Sequence, residues 1–133
     1  MTERPSWDDY LLGIAEPVAV RGDCLRSCVG AVLVRPDRRI AAAGHNDTPP
    51  GGSSYLDSRC VRCRSNSPPG TDYGACIATH AEADCLLHAD QADCQDTTAY
   101  ITRAPCRDCT RLIHCTGTGR AMWPSCATER ELC

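Results

Sequence analysis

In the stretch IATHAEADC (Ile77–Cys85), His80 stands two residues ahead of Glu82, and further along, in TRAPCRDC, Cys106 and Cys109 follow Pro105. An imidazole and two thiolates are donors that zinc takes readily, and Cys-x-x-Cys at a helix start lets both sulfurs reach one ion. A helix N-terminus carries partial positive charge, which favours thiolate over thiol. One neutral imidazole and two thiolates also balance the charge of Zn2+. Three protein ligands leave one tetrahedral position for water, the arrangement of a catalytic rather than a structural zinc. Such water ionises at roughly pH 7. Glu82 is then expected to stay off the metal and to carry protons between the water and the reacting group. Residues two apart do not share a face of a regular helix. His80 and Glu82 are therefore expected at a helix start, where their side chains can converge. The competing reading is a structural zinc, with His80 a core histidine and Glu82 a solvated acid.

The elements that must position these groups follow from pattern. Trp7 to about Val20 reads as a helix broken near Pro17. Cys28–Val34 (CVGAVLV) is an apolar, β-branched run, hence a buried strand. Pro36 and Asp37 supply turn chemistry, and Ile40–Gly44 (IAAAG) returns as the second strand of a hairpin. His45–Tyr73 is rich in Gly, Pro, Ser and Asp and has no period, and a loop of that length is uncommon unless functional or tied down. Cys76 to about Ala89 has helical composition, Thr97–Thr102 reads as a strand, and Pro105 suits the first residue of the next helix. That helix stops at Gly117 and Gly119, Arg120–Pro124 (RAMWP) reads as a short strand, and ATERELC (Ala127–Cys133) begins another helix. The order implies a layered α/β domain, with parallel pairing across the later helical crossovers. With 133 residues the chain fits one domain, residues 1–133.

Composition narrows the function classes. Fourteen basic against 17 acidic side chains leave a formal net charge of -3, so there is no basic footprint for nucleic acid. Aromatics are 5% and Phe is absent, so base-stacking platforms are scarce. A small anion remains admissible, because a few local Arg residues hold one. Twelve Cys would suit a disulfide-rich secreted domain. The N-terminal residues, however, lack a basic region followed by an apolar run. No stretch of about 18 apolar residues is present to span a membrane. The expected location is the cytoplasm, where paired thiols mean metal or catalysis more often than disulfides.

His-x-Glu and Pro-Cys-x-x-Cys, in this order and on helix starts separated by a strand, match the signature of zinc nucleobase deaminases. THAEADCLL (Thr79–Leu87), APCRDCTRLI (Ala104–Ile113) and VGAVLVRPDRRIAAAGHNDTPPGG (Val29–Gly52) resemble the cytidine deaminase superfamily, and most closely its deoxycytidylate (dCMP) deaminase family. The resemblance spans most of residues 24 to 124. It implies a three-layer α/β fold with a mixed central sheet flanked by helices, a zinc cofactor, hydrolysis of dCMP to dUMP with release of ammonia, and a homo-oligomer. It places Asn46 against the sugar, and the backbone around Ala81 and Ala104 at the pyrimidine edge. The competing reading of Asn46 is an ordinary turn residue at a strand end. Three positions depart from the family pattern: His45 for an aromatic, Asp84 for Asn, and Ala104 for a polar residue. The chain is also expected to stop short of the family's last strand and helix.

A second site suggests itself in Cys24, Cys60, Cys63 and Cys76, with Cys28 as an alternative to Cys24. CVRC is a further Cys-x-x-Cys, and four thiolates would close the coordination sphere and give no chemistry. Some members of the family carry a second, structural zinc in the corresponding parts, and such a site would staple loop 45–75. Cys85, Cys94, Cys115, Cys126 and Cys133 are read as buried or free thiols, and His88 and His114 as packing or surface residues. Arg26, Arg62, Arg64, Arg103 and Arg107 are all candidates for a substrate phosphate. Two other function classes stay open: a deaminase of another substrate (cytidine, a modified pyrimidine, a purine or tRNA adenosine), and a zinc-stapled interaction module without turnover.

Overall fold

The structure, a computed structural model, describes residues 3–24, 26–51 and 60–124. Helix α1 (Trp7–Ala19) opens the chain, followed by strands β1 (Gly30–Val34) and β2 (Ile40–His45). A short helix α2 (Val61–Arg64) and a 3-10 turn at Tyr73–Ala75 precede α3 (Ala81–His88). Then come a 3-10 turn at Gln91–Cys94, β3 (Thr98–Ile101), α4 (Arg107–Cys115) and β4 (Arg120–Met122). The helix expected within Ala127–Cys133 lies outside the described residues.

The sheet order is β2-β1-β3-β4. β1 runs antiparallel to both β2 and β3, and β3 runs parallel to β4. β2 and β3 therefore point the same way with β1 between them. Each of the two strand–helix–strand passages, through α3 and through α4, joins strands of like direction, as crossover connections require.

β1 is buried along its whole length because both faces of the sheet are covered. Side chains alternate across it. Ala31 and Leu33 join Ala81, Cys85, Ala99, Ile101 and Ile113 under α3 and α4. Val32 and Val34 join Leu11, Ala15 and Tyr100 under α1. Leu11, Ala15 and Ala19 recur every four residues along the buried stripe of α1. Ser6 caps that helix by accepting from the Asp9 N–H, and the helix continues through Pro17 for two further residues rather than breaking there. Asp8, at its start, accepts from the Tyr100 hydroxyl at 2.8 Å and from both Arg120 Nη atoms at 3.1 and 2.7 Å. This ties the first helix to the third and fourth strands.

The strands differ from their expected bounds by one or two residues at their ends, and two helix starts move as well. The helix predicted from Cys76 begins only at Ala81. Cys76 is extended, and Thr79 pairs with Asp47 through two backbone hydrogen bonds of 2.8 and 3.1 Å. Helical composition was present from Cys76 onward, but this bridge claims the backbone first. Likewise α4 begins after Cys106, which is its N-cap, so Pro105 lies outside the helix.

Gly44 sets how closely α3 lies on β2. A β-carbon there would stand 2.4 Å from the Cys85 nitrogen and 2.7 Å from the Ala81 carbonyl oxygen. Both are backbone atoms and cannot rotate aside. Gly44→Ala is expected to cost about 1–3 kcal/mol through this overpacking. That corresponds to a melting temperature lower by roughly 3–15 °C in a chain of this size. An unchanged thermal transition would mean that α3 does not rest on the strand at this distance.

Candidate active site

His80 is the N-cap of α3 and Cys106 the N-cap of α4, so two helix N-termini converge on one place. Their partial positive ends favour anionic sulfur there. Cys109 lies on the inward face of α4, one turn before Ile113, and both are buried. The three donor atoms lie within 4.8 Å of one another. His80 Nδ1 is 3.5 Å from Cys106 Sγ and 3.4 Å from Cys109 Sγ.

These spacings allow a direct test of fit. With zinc–sulfur bonds of about 2.3 Å and zinc–nitrogen bonds of about 2.0–2.1 Å, a tetrahedron has sulfur–nitrogen edges of roughly 3.5 Å. Both observed distances agree with that edge before any rearrangement. The donor set is also zinc's own, two sulfurs and an imidazole.

Glu82, in the first turn of α3, is 6% exposed. Burial pushes its carboxyl above the usual carboxylate range, against the opposing pull of its own backbone N–H, His80 and the Cys109 thiol. The His-x-Glu spacing resolves as expected: one residue caps the helix and the other follows in its first turn, so both reach the same cleft. Among the protein groups alone, protons are shared unevenly. Hydrogen bonding from the Cys109 thiol, and then from His80, brings Cys106 down to about 4. Cys109, donating to Cys106 and buried beside Glu82, is pushed up. The contact with Cys106 raises His80 despite its burial.

These groups open on a narrow cleft lined by Val29, Asn46, His80, Ala81, Glu82, Arg103, Ala104 and Cys106. Asn46, Ala81 and Ala104, expected near a substrate, all line it. Asn46 is 1% exposed and has a structural task as well. Its Oδ1 accepts from the Val29 N–H and its Nδ2 donates to the Ser27 carbonyl, both at 2.8 Å. It pins the segment before β1 to the end of β2.

The two departures at His45 and Asp84 meet each other. Asp84 accepts from the His45 backbone N–H at 3.2 Å and pairs with His88 at 3.4 Å. It lines a separate groove with Pro49, Thr79 and Leu87, so its charge faces away from the cleft. His114 is exposed.

Cys24, Cys60, Cys63 and Cys76 gather in a cluster of their own. Cys24 Sγ and Cys63 Sγ are 3.8 Å apart, close to the roughly 3.8 Å edge of a tetrathiolate with 2.3 Å bonds. Among the described residues, however, only the His80 set brings three donor atoms within 4.8 Å. Burial, with the sulfurs of Cys60 and Cys24, raises the Cys63 thiol to about 12. Cys28 instead donates to the Gly22 carbonyl.

Sequence reasoning missed how the two cysteine groups are joined. Arg62, fully buried between Cys60 and Cys63, donates from Nε to the Thr71 carbonyl at 2.8 Å. Its guanidinium lies 4.7 Å over the Tyr73 ring, and that ring meets His80 edge-on at 4.9 Å and 85°. Nothing in the spacing of TDYGAC signals that Tyr73 reaches His80.

The sequence model of the family described as "Cytidine and deoxycytidylate deaminase zinc-binding region" matches residues 5–124. The deoxycytidylate deaminase of Mycobacterium phage D29 is 45% identical over 126 residues, covering 91% of this chain and 96% of that one. The deoxycytidylate deaminase of Schizosaccharomyces pombe is 37% identical over 111 residues, covering 83% of this chain but 34% of the yeast protein. The chain thus spans nearly all of the phage relative and about a third of the yeast one. Among solved structures, the dCMP deaminase from the cyanophage S-TIM5 in complex with dCMP and dUMP superposes with a TM-score of 0.69 at 24% identity. The alignment covers 92% of this chain and 83% of that one, which shows a shared fold.

Proposed function

Because the chain belongs to the cytidine and deoxycytidylate deaminase zinc-binding family, we propose that it is a zinc-dependent hydrolase converting dCMP to dUMP and ammonia. The observation that carries this reading is the convergence of His80 Nδ1, Cys106 Sγ and Cys109 Sγ beside the buried Glu82 carboxyl in one cleft. His80, Cys106 and Cys109 hold the metal. When bound, zinc supplies a Lewis acid that brings the pKa of water down to roughly 7.

Glu82 does the proton work. One of its carboxylate oxygens takes a proton from the attacking water and delivers it to N3 of the ring. It takes the second and delivers it to the exocyclic nitrogen, which leaves C4 as ammonia while the water oxygen remains as the new carbonyl. Its raised affinity for a proton, caused by burial, suits a group that must both accept and donate. The backbone at Ala81 and Ala104 presents polar groups to the pyrimidine edge, and Asn46 faces the sugar. Asn46 can do this without leaving its post, because Oδ1 has a second lone pair and Nδ2 a second hydrogen.

Cys24, Cys60, Cys63 and Cys76 hold a second, structural zinc in this reading. The 3.8 Å approach of Cys24 to Cys63 and the clustering of all four support it. The buried Arg62 cation beside them would offset part of the negative charge of four thiolates.

The test is ammonia release by the zinc-loaded protein from dCMP, CMP, dCTP, deoxycytidine, cytidine, guanine and adenosine, with metal analysis on the same sample. The expected outcome is preference for dCMP, dUMP as product, and two zinc ions per chain. Turnover of another base with dCMP untouched would overturn the substrate, and no turnover at all would favour an interaction module. One ion per chain would remove the second site.

A further inference from the structure

Of five arginines that could meet a substrate phosphate, the structure separates one from the others. Arg103 lines the cleft together with Asn46, His80 and Ala104, and no other Arg or Lys lines it among the described residues. Arg62 is fully buried behind Tyr73, and Arg64 and Arg107 are exposed outside the cleft. Arg26 does not line the cleft: its Nη2 donates to the Ser67 carbonyl at 3.0 Å, and its Nη1 is buried without a partner among the described residues.

Arg103 is half-buried and held in place without being neutralised. Its Nη1 donates to the Ser27 hydroxyl. Ser27 belongs to the segment that Asn46 pins through its carbonyl. Arg103 Nε and Nη2 make no hydrogen bond, and no carboxylate pairs with the guanidinium, among the described residues. One edge of a guanidinium, with parallel N–H donors, is therefore left for an acceptor. That geometry matches phosphate oxygens better than a point charge would. A pyrimidine nucleotide whose reacting carbon sits at the His80 and Glu82 end must extend its sugar and 5′-phosphate away from that end, past Asn46.

We propose that Arg103 binds the 5′-phosphate of the substrate and so sets the preference for a nucleotide over its nucleoside. This rests on the dCMP reading above and deepens it. The residue is a specificity determinant: it touches the substrate but not the reacting atoms.

The experiment compares kcat/KM for dCMP and for deoxycytidine in the zinc-loaded wild type, Arg103→Gln and Arg103→Lys. Arg39→Gln, in the β1–β2 turn, serves as a charge-matched control. Arg103→Gln is expected to lower kcat/KM for dCMP by roughly 10- to 100-fold while changing deoxycytidine by less than about threefold. Arg103→Lys should recover part of the loss, because it keeps the charge but not the planar fork. The ratio of the two substrates does not depend on the folded fraction, so a partly unfolded variant still reports. Equal losses on both substrates, or an unchanged value for dCMP, overturn the proposal. If wild-type turnover of deoxycytidine lies below detection, competitive inhibition by inorganic phosphate is read instead. It must weaken by roughly tenfold or more in Arg103→Gln, and unchanged inhibition overturns the proposal. A wild type inactive on dCMP overturns the underlying reading and this proposal with it, a result distinct from a wild type that prefers dCMP and a variant that keeps the preference.

Discussion

Glu82→Gln is expected to keep its metal and its fold and to lose turnover on dCMP by roughly 10²- to 10⁴-fold, the usual contribution of a positioned acid–base group. The amide is nearly isosteric with the carboxyl and fills the same buried space. Glu82 contributes no donor to the His80, Cys106 and Cys109 set, so zinc content should not change. Burial already disfavours a charge at this position, so a neutral side chain should leave the thermal transition where it is or raise it. The variant thus separates chemistry from structure. Measured beside the wild type, it should give equal zinc, an equal or higher melting temperature and a collapsed kcat. Activity within tenfold of the wild type would sink the assignment of Glu82 as proton carrier. Loss of zinc along with activity would instead make it part of the metal's support.

Cys109→Ala should act at the other level, on the metal itself. Cys109 is 3% exposed, and its sulfur stands 3.4 Å from His80 Nδ1. Removing it leaves one sulfur and one imidazole, and a two-ligand site loses most of an affinity that can reach roughly 10–16 kcal/mol in closed zinc sites. The variant should therefore carry one ion fewer per chain than the wild type and show no measurable turnover. Chelation of the wild type should reproduce the loss. Added zinc should restore the chelated wild type but not the variant. Retention should also weaken as pH falls. Zinc binds thiolates and neutral imidazole, so a proton on any of the three competes with it. The contacts that lower Cys106 raise Cys109 and His80, so protons compete chiefly at the latter two. A variant with full metal content would show that Cys109 is not a ligand.

The Cys106 and Cys109 half of the candidate site was legible because it rests on a short spacing. Cys106 and Cys109 are one helical turn apart, so their meeting at one ion needs only that a helix begin at Cys106, as it does. The strict burial pattern of Gly30–Val34 was legible as an apolar run for a similar reason. What failed were boundaries decided by partners distant in the chain. Cys76–Thr79 has helical composition, but Asp47 pairs with Thr79 and holds that segment out of the helix. Pro17 is a helix breaker by type, yet α1 passes through it. The four outer cysteines were legible as a group but not as a formed sphere, because their positions depend on the long loop rather than on one helix.

Residue type and local spacing determined the two separate donor motifs, His-x-Glu and Cys-x-x-Cys, and the alternation of helices and strands. Those are properties of neighbours along the chain, where covalent geometry limits the choices. Tertiary structure alone decided that Gly44 lets α3 lie close on β2, that Tyr73 carries the Arg62 cation to the edge of His80, and that Asp84 turns away from the cleft toward His45. It alone selected Arg103 from five arginines that look alike in sequence. A guanidinium reaches several residues in any direction, and only packing settles which direction it takes.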